Sequence, residues 1–494
     1  MMTKQIMRTL LAMCAVIGIL SGCGEGTGNA GSVSNVEEGD ADIAEDIAVS
    51  SEKDADGEPE SSADTAGTVM IIRTSSGFSL CRTDGTVIKS FEGSYYRGYP
   101  SEGKFLVEEG GKLGVMDFGG NFVIEPQYDA MEGKDSIGYY EVLQFSEGMA
   151  IIKESGLYGF INEKGETVIA PQFDYAHTFS CGLACVKSGE KYGYIDHTGD
   201  FVIEPTLDSA RSFSHGLAQA ESNGSWGIIN QTGGLVQEEN VSPVSPIDQE
   251  NGNFDFHDGL AVVEAGQYYG YINEAGEMAI EPVFKEANPF VDGIACVKVY
   301  VEGHDVYGYI NTSGEYVIEP QYADAKSFSE GLAYVRRSTI DGRPDGYIDP
   351  SGNCVIEVDP SAPLVNASEF SEGMAFVIKS TEDGSYPCYI DTAGNEMISL
   401  DEFDASNIYN QGSFENGYAV IMTNDNHFGL IDREGNVIFE PEYSSVNADY
   451  IGSDGIVILS LEDGRQGAAA LDGSWIIEPD SVEISVLKQE SEEQ

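Results

Sequence analysis

From Thr68 onward, short apolar runs alternate with glycine-punctuated polar steps, and the alternation keeps returning. One recurring run is an aromatic-Gly pair followed by apolar residues, as in Tyr158-Gly159-Phe160-Ile161 and Tyr192-Gly193-Tyr194-Ile195. With that glycine as position zero, the slot is filled by Gly77, Gly114, Gly159, Gly193, Gly227, Gly270, Gly308, Gly346, Cys388, Gly429 and Gly467, spaced 34 to 45 residues apart. That makes about eleven units, the first of them weak. Three residues after zero stands Asn or Asp (Asn162, Asp196, Asn273, Asn311), and three further on stands Gly (Gly165, Gly199, Gly276, Gly314). Eleven residues after zero comes Glu in eight units, among them Glu125, Glu204, Glu281 and Glu319, and proline follows in six of these.

An Asx-x-x-Gly step between two β-rich runs is a hairpin loop, in which the Asx side chain opens the turn and the glycine takes a positive φ. One strand is therefore predicted over Tyr-Gly-Tyr-Ile-Asn and its partner over the Val-Ile-Glu-Pro segment, with the proline stopping that partner on an edge. A third strand is read from Phe-Ser-x-Gly-Leu-Ala-x-Val, which recurs with variations from Phe145, Phe179, Phe213, Phe256, Phe290, Phe328, Phe370 and Phe414. One such three-stranded sheet cannot bury its apolar face alone, whereas stacked neighbours can. The expected fold is all-β: tandem three-stranded antiparallel β-repeats in an open propeller-like or solenoidal superhelical array. Openness is expected because closed propellers typically hold four to eight blades. Cys185 and Cys296 share a repeat slot with Ile151, Val262 and Tyr334, so both are expected to be small buried hydrophobes.

These units resemble the WG-repeat (WG containing repeat) family. Its repeats carry an aromatic-Gly pair, an Ile-Asp/Asn step, a Gly turn, a Val-Ile-x-Pro strand and a Phe-x-x-Gly-Leu-Ala strand. The resemblance covers roughly Gly67 to Glu483. Departures are few: only Trp226 supplies Trp before the glycine, Cys388 replaces that glycine, Val358 replaces the proline, and Gln237 to Asn253 is an insertion. The resemblance implies architecture and little about activity.

The N-terminus reads differently. Lys4 and Arg8 precede a twelve-residue apolar run, Thr9 to Leu20, that is too short to span a bilayer. It ends in Leu20-Ser21-Gly22-Cys23. This resembles the lipobox of bacterial lipoprotein precursors, which implies cleavage before Cys23, acylation of that cysteine and membrane attachment through the lipid. From Gly24 to Thr68 there are thirteen acidic residues, one Lys and no aromatic residue. Such a stretch cannot bury enough apolar surface to offset its ordering entropy. The expected organisation is a signal peptide over 1–22, an acidic tether over 23–67, the β-repeat array over 68–484 and an acidic tail over 485–494.

Charge narrows the function. Against 84 acidic residues stand 25 Lys and Arg, a formal net charge of −59, which argues against nucleic acid as a partner. No CxxC pair, GxSxG elbow, phosphate loop or HExxH occurs, and the six histidines fall in different repeat slots; no catalytic, cofactor or metal site is expected. The recurring aromatics and Asx residues are expected to serve core and turn. What varies are the segments that break the spacing, 130–141, 237–253, 299–305, 338–345 and 380–387, and in repeat arrays such insertions often map to the binding face. Their candidate contact residues are Tyr139, Tyr140, Arg343 and Tyr386. The resulting expectation is a non-enzymatic, extracytoplasmic, lipid-anchored surface lipoprotein whose array binds a protein or a polysaccharide. The alternatives are an extracellular hydrolase with an unrecognised site and a passive structural spacer.

Overall fold

The computed structural model describes residues 68–129, 142–237, 241–243, 254–337, 345–358, 367–381, 384–400, 412–423, 425–480 and 482–488. The chain divides into a unit of residues 1–63 and a unit of residues 64–494, and every described residue lies in the second. Cys23, the acidic stretch, Tyr139, Tyr140 and Arg343 lie outside the described residues.

The second unit is all-β and propeller-like. It consists of small antiparallel sheets in chain order, and its one described helical element is the four-residue turn Ile451–Asp454. Among the described residues there are ten sheets, one of which has seven strands and spans two blades, so the eleven predicted units correspond to eleven blades. Blade 4 shows the pattern: Tyr175–Ser180, Leu183–Ser188, Lys191–Ile195 and Phe201–Leu207, hydrogen-bonded in that order. Each blade has three long strands, as the sequence indicates, and most add a first strand that is often very short, such as Ser209–Ala210 or Glu286–Ala287.

In blades 3, 4 and 6 a first strand includes the Phe of the Phe-Ser-x-Gly-Leu-Ala run, which the sequence pattern presented as one strand; in blades 5 and 7 it lies upstream of the Phe, and the split run is joined by the bridges Ser214–Leu217 and Val291–Ile294. Ser180 pairs with Leu183 across a two-residue loop in which Cys181 has φ +54° and Gly182 φ +80°. Two successive positive φ values make the primed turn whose twist matches that of the flanking strands. The dipeptides Asp258-Gly259, Asp292-Gly293 and Asn416-Gly417 occupy the same turn and are its usual sequence signal.

Proline also acts differently from expectation. Phe201–Leu207 runs straight through Pro205. The register slips there: Tyr192 faces Leu207 while Tyr194 faces Ile203, so the proline sits in a bulge of the outer strand. The bulge brings the Ile203 carbonyl onto the third strand. A Cβ on Gly193 would lie 2.5 Å from that oxygen, but the close approach does not need the proline: in blade 8, where Val358 replaces it and Gly346 pairs with Glu357 in regular register, a Cβ on Gly346 would lie 2.1 Å from the Ile356 carbonyl. In blade 9 the partner strand Glu396–Ser399 has no proline, and Cys388 pairs with Ser399 in regular register with Tyr389 and Ile398. Here the slot holds a buried side chain, Cys388.

Repeat and blade are out of phase. A repeat counted from the motif glycine gives its first two strands to one blade and its last two to the next. Core clusters accordingly lie between blades, and they run 1–2, 2–3–4, 4–5, 5–6, 6–7, 7–8, 8–9, 9–10 and 10–11. A tenth cluster joins Ile456, Ile458 and Ala468 of blade 11 to Met70 and Cys81 of blade 1. The last strand, Glu483–Lys488, is hydrogen-bonded to Thr68–Thr74, with Thr68 opposite Lys488 and Arg73 opposite Glu483. The expectation of an open array rested on the number of units alone. The phase offset leaves blade 1 without a first strand and the last repeat with one to spare, and the two ends complement each other. The array therefore reaches Lys488, and residues 485–488, expected as tail, are strand: Val486 and Leu487 are buried.

Candidate functional site

The repeated positions are occupied by contacts within the array. One residue after the motif glycine stands a fully buried ring: Tyr194, Tyr271, Tyr309, Tyr347 and Tyr389. Each packs on the Phe that opens the next blade, at centroid distances of 4.7 to 4.9 Å. Each hydroxyl donates to a backbone carbonyl of the following blade, as Tyr194 does to Arg211 at 2.6 Å and Tyr309 to Lys326 at 2.8 Å. Burial drives these phenol pKa values far up. The aromatic before the glycine is half-buried and carries a cation: Lys187 lies 5.3 Å over Tyr192, Arg211 6.0 Å over Trp226 and Lys298 5.0 Å over Tyr307. Neither aromatic slot is an open platform for a ligand.

The turns are committed too. The Ser of Phe-Ser-x-Gly donates across to the next blade's Phe carbonyl, Ser146 to Phe179 at 2.7 Å and Ser180 to Phe213 at 2.6 Å. The residue after it caps the next blade's turn: Glu147 accepts from the Gly182 N–H at 3.1 Å, Glu330 from Gly373 at 2.9 Å and Glu372 from Gly417 at 2.8 Å. The Asx carboxyls and amides accept from their own turns, Asn311 Oδ1 from the N–H groups of Ser313 and Glu315 at 3.0 Å each. Side-chain hydrogen bonds from Thr198, Asn353 and Asn395 hold Asp196, Asp349 and Asp391 below the usual carboxylate range. Gly276 and Gly314 have φ +79° and +77°, as the turn assignment requires. Among the described residues no group of three or more His, Cys, Asp or Glu is placed to hold a metal ion.

The six cysteines after Cys23 form no disulfide among the described residues. Cys185 and Cys296 are each 1% exposed, which agrees with their repeat slot. Burial pushes Cys296 up to about 12 and Cys81 up to about 11, so neither is a ready thiolate nucleophile. His197 stacks on Phe179 at 4.2 Å and meets Glu147 at 3.3 Å. His427 lies between Asp425 at 2.9 Å and Glu462 of blade 11 at 2.8 Å.

The variable segments differ in where they fall. Tyr386, expected in a loop, lies inside the strand Gly384–Asp391. Its ring packs against the core between blades 8 and 9, and its hydroxyl donates to Glu396 at 2.7 Å, beside Lys379. The segment 299–305 forms the tip of a hairpin, Ile294–Val301 with His304–Asn311, whose eight-residue strands outrun the six-residue strands of blade 3. It turns through Glu302 at φ +51° and Gly303 at φ +93°. There Tyr300 is 53% and Val301 44% exposed. Lys285 covers one face of Tyr300 at 4.6 Å and pairs with Asp305 at 2.7 Å, which holds the tip in place. Tyr300 carries no repeat function, and the period-breaking position of the segment is the signal that marks it.

No curated protein matches the chain. Among solved structures it is similar to one titled a eukaryotic initiation factor, with a TM-score of 0.39 and 11% identity over 69% of this chain and 98% of that one. It is similar to BamB from Moraxella catarrhalis, with a TM-score of 0.26 and 9% identity over 71% and 94% of the two chains. For the WD40 β-propeller domain of Doa1 the TM-score is 0.23, with 14% identity over 56% and 88%. Residues 158–192, 192–226, 269–300, 307–337 and 428–457 match the WG containing repeat family, each match starting or ending within the third strand of a blade or the hairpin beside it, so the family's repeat is found five times along this array.

Proposed function

We propose that this chain is a non-enzymatic cell-surface lipoprotein, anchored outside the cytoplasm through acylated Cys23, whose β-repeat array presents the irregular hairpins to an extracellular protein or polysaccharide. One observation carries the binding part: the repeated aromatics, hydroxyls and turn carboxylates are spent on contacts between blades, while Tyr300 and Val301 stand exposed on a braced tip. An aromatic held in place loses little conformational freedom on binding, which is why such residues anchor interfaces. The formal charge of −59 adds long-range attraction to cationic partners and repulsion of nucleic acid.

The test is capture from cell-envelope extract by the full chain and by a Tyr300→Ser/Val301→Ser variant with unchanged melting. Loss of a captured component in the variant supports the reading; an identical capture pattern removes the hairpin from it. Anchoring is tested separately. Cys23→Ala should leave the detergent phase, and continued partitioning there would refute lipidation at Cys23.

A further inference from the structure

The junction between blades 11 and 1 has neither the tyrosine hydroxyl bond nor the serine hydroxyl bond that fastens junctions such as those between blades 4 and 5 and between blades 8 and 9. Where five junctions have a buried tyrosine one residue after the motif glycine, this one has Ala468, an aliphatic residue like Val115, Ile228 and Leu430 in the same slot of other blades. Where the next blade opens with Phe-Ser, the closing strand reads Glu-Ile-Ser-Val-Leu-Lys. No tyrosine hydroxyl, ring pair or serine-to-phenylalanine carbonyl bond of the repeated kind is therefore available at this junction. What holds it is the backbone pairing of Glu483–Lys488 with Thr68–Arg73 and an aliphatic cluster. Two polar bonds add to this, Ile484 N–H to Gln466 Oε1 at 3.1 Å and Lys488 Nζ to the Asp449 carbonyl at 3.3 Å. The Arg73–Glu483 ion pair is half open to solvent, where such pairs contribute little. A cleft also opens at this junction, lined by Arg73, Thr74, Asp463, Gly464, Val482 and Glu483. Arg73 Nε, shielded from solvent, has no hydrogen-bond partner.

We infer that the closing strand Glu483–Lys488 is a releasable latch, and that the array opens at the junction of blades 11 and 1 while the other blades stay folded. Connectivity favours this. Every junction, this one included, is crossed by a repeat whose strands belong to both blades, so parting two whole blades strains a covalent link, whereas the pairing of Glu483–Lys488 with Thr68–Arg73 inside blade 1 joins the two ends of the array. At the seam two chain ends meet, and releasing the latch leaves every blade's hairpins intact. Local openings begin where few interactions oppose them. Release uncovers an unpaired edge on Thr68–Thr74, the strand that residues 1–67 run into, and frees Ile484, Val486 and Leu487 from the core.

Hydrogen exchange on the full chain tests the latch. Amides of Thr68–Arg73 and Glu483–Lys488 should exchange at least about tenfold faster than those of Leu183–Ser188 and Lys191–Ile195, because subglobal openings span a wide range of free energies. A Thr68→Cys/Lys488→Cys variant joins register partners. Oxidised, it should slow exchange at the seam to the rate of blade 4; reduced, it should exchange like the parent. Seam amides as slow as those of blade 4 in the parent chain, or a cross-link that leaves seam exchange unchanged, would overturn the latch.

Discussion

Tyr309 and Tyr300 lie on the two strands of one hairpin and have opposite fates. Tyr309 is fully buried, stacked on Phe328 at 4.9 Å, its hydroxyl spent on the Lys326 carbonyl. Tyr300 is 53% exposed, and only Lys285 leans on it. The same side chain is fastening in one place and free surface in the other, and the difference is whether its position recurs. A recurring slot meets the same neighbour in every blade and is selected for that contact; a slot in an insertion has no counterpart next door.

The sharpest break of this comparison is truncation. Tyr309→Ala should destabilise by about 3–5 kcal/mol, the range for removing a large buried ring, whereas Tyr300→Ala should stay within about 0.5 kcal/mol. Denaturation midpoints of the two variants decide it, and equal losses would erase the distinction between fastening and surface. Next come the motif glycines. Gly193→Cys places a Cβ against the Ile203 carbonyl and should cost about 1–3 kcal/mol, as overpacking does, although Cys388 occupies the same slot natively in a blade without the bulge. A Gly193→Cys protein that melts with the parent would show that the carbonyl gives way and that the slot does not require glycine. Gly314→Val sets a branched side chain at φ +77° with its Cβ 3.2 Å from Ile280. A cost of about 1–3 kcal/mol is expected for the strained backbone, visible as a lower melting temperature, and an unchanged one would refute the turn assignment.

The smallest effect concerns pH. The hydrogen bond to Asp425, helped by Glu462, raises His427 above its ordinary 6.5. A raised folded value means that protonated His427 stabilises the fold at pH below 6.5 and that this support disappears as pH climbs through the folded value. The melting difference between the parent and His427→Gln should therefore shrink as pH rises from about 5 to 8, the range in which histidine titrates. A difference that grows over that range would reverse the assignment.

The repeated features were legible because each is written about eleven times. The Asx turns, the buried slot of Cys185 and Cys296 and the run of units all follow from period and residue type. The first strand of each blade was hidden because it is often two residues long and borders a turn whose central residue varies from Cys181 to His215 to Asp258; only the Asp-Gly and Asn-Gly versions carry a local signal. The meeting of the ends was illegible for another reason. Met70 and Ile484 are ordinary apolar strand residues, and nothing in either run encodes a partner some four hundred positions away. Tyr386 lies in 380–387, a segment that breaks the repeat spacing, and spacing alone does not show that the extra residues lengthen two strands rather than a loop. Tyr300 belonged to the recognised segment 299–305, but its exposure depends on how far the hairpin extends, which spacing does not reveal.

The pairing of Thr68 with Lys488 has a consequence for how such an array can evolve. A linear stack must finish in special capping units with a polar outer face. This one needs none, because each repeat lends half of itself to its neighbour and the halves left over at the two termini make one more whole. Any repeat can then be duplicated or lost without exposing a new end. What changes instead is the angle through which every junction must bend for the termini still to meet. Copy number and curvature are thus tied together, and a chain that gains a repeat must alter all its interfaces slightly rather than one of them greatly.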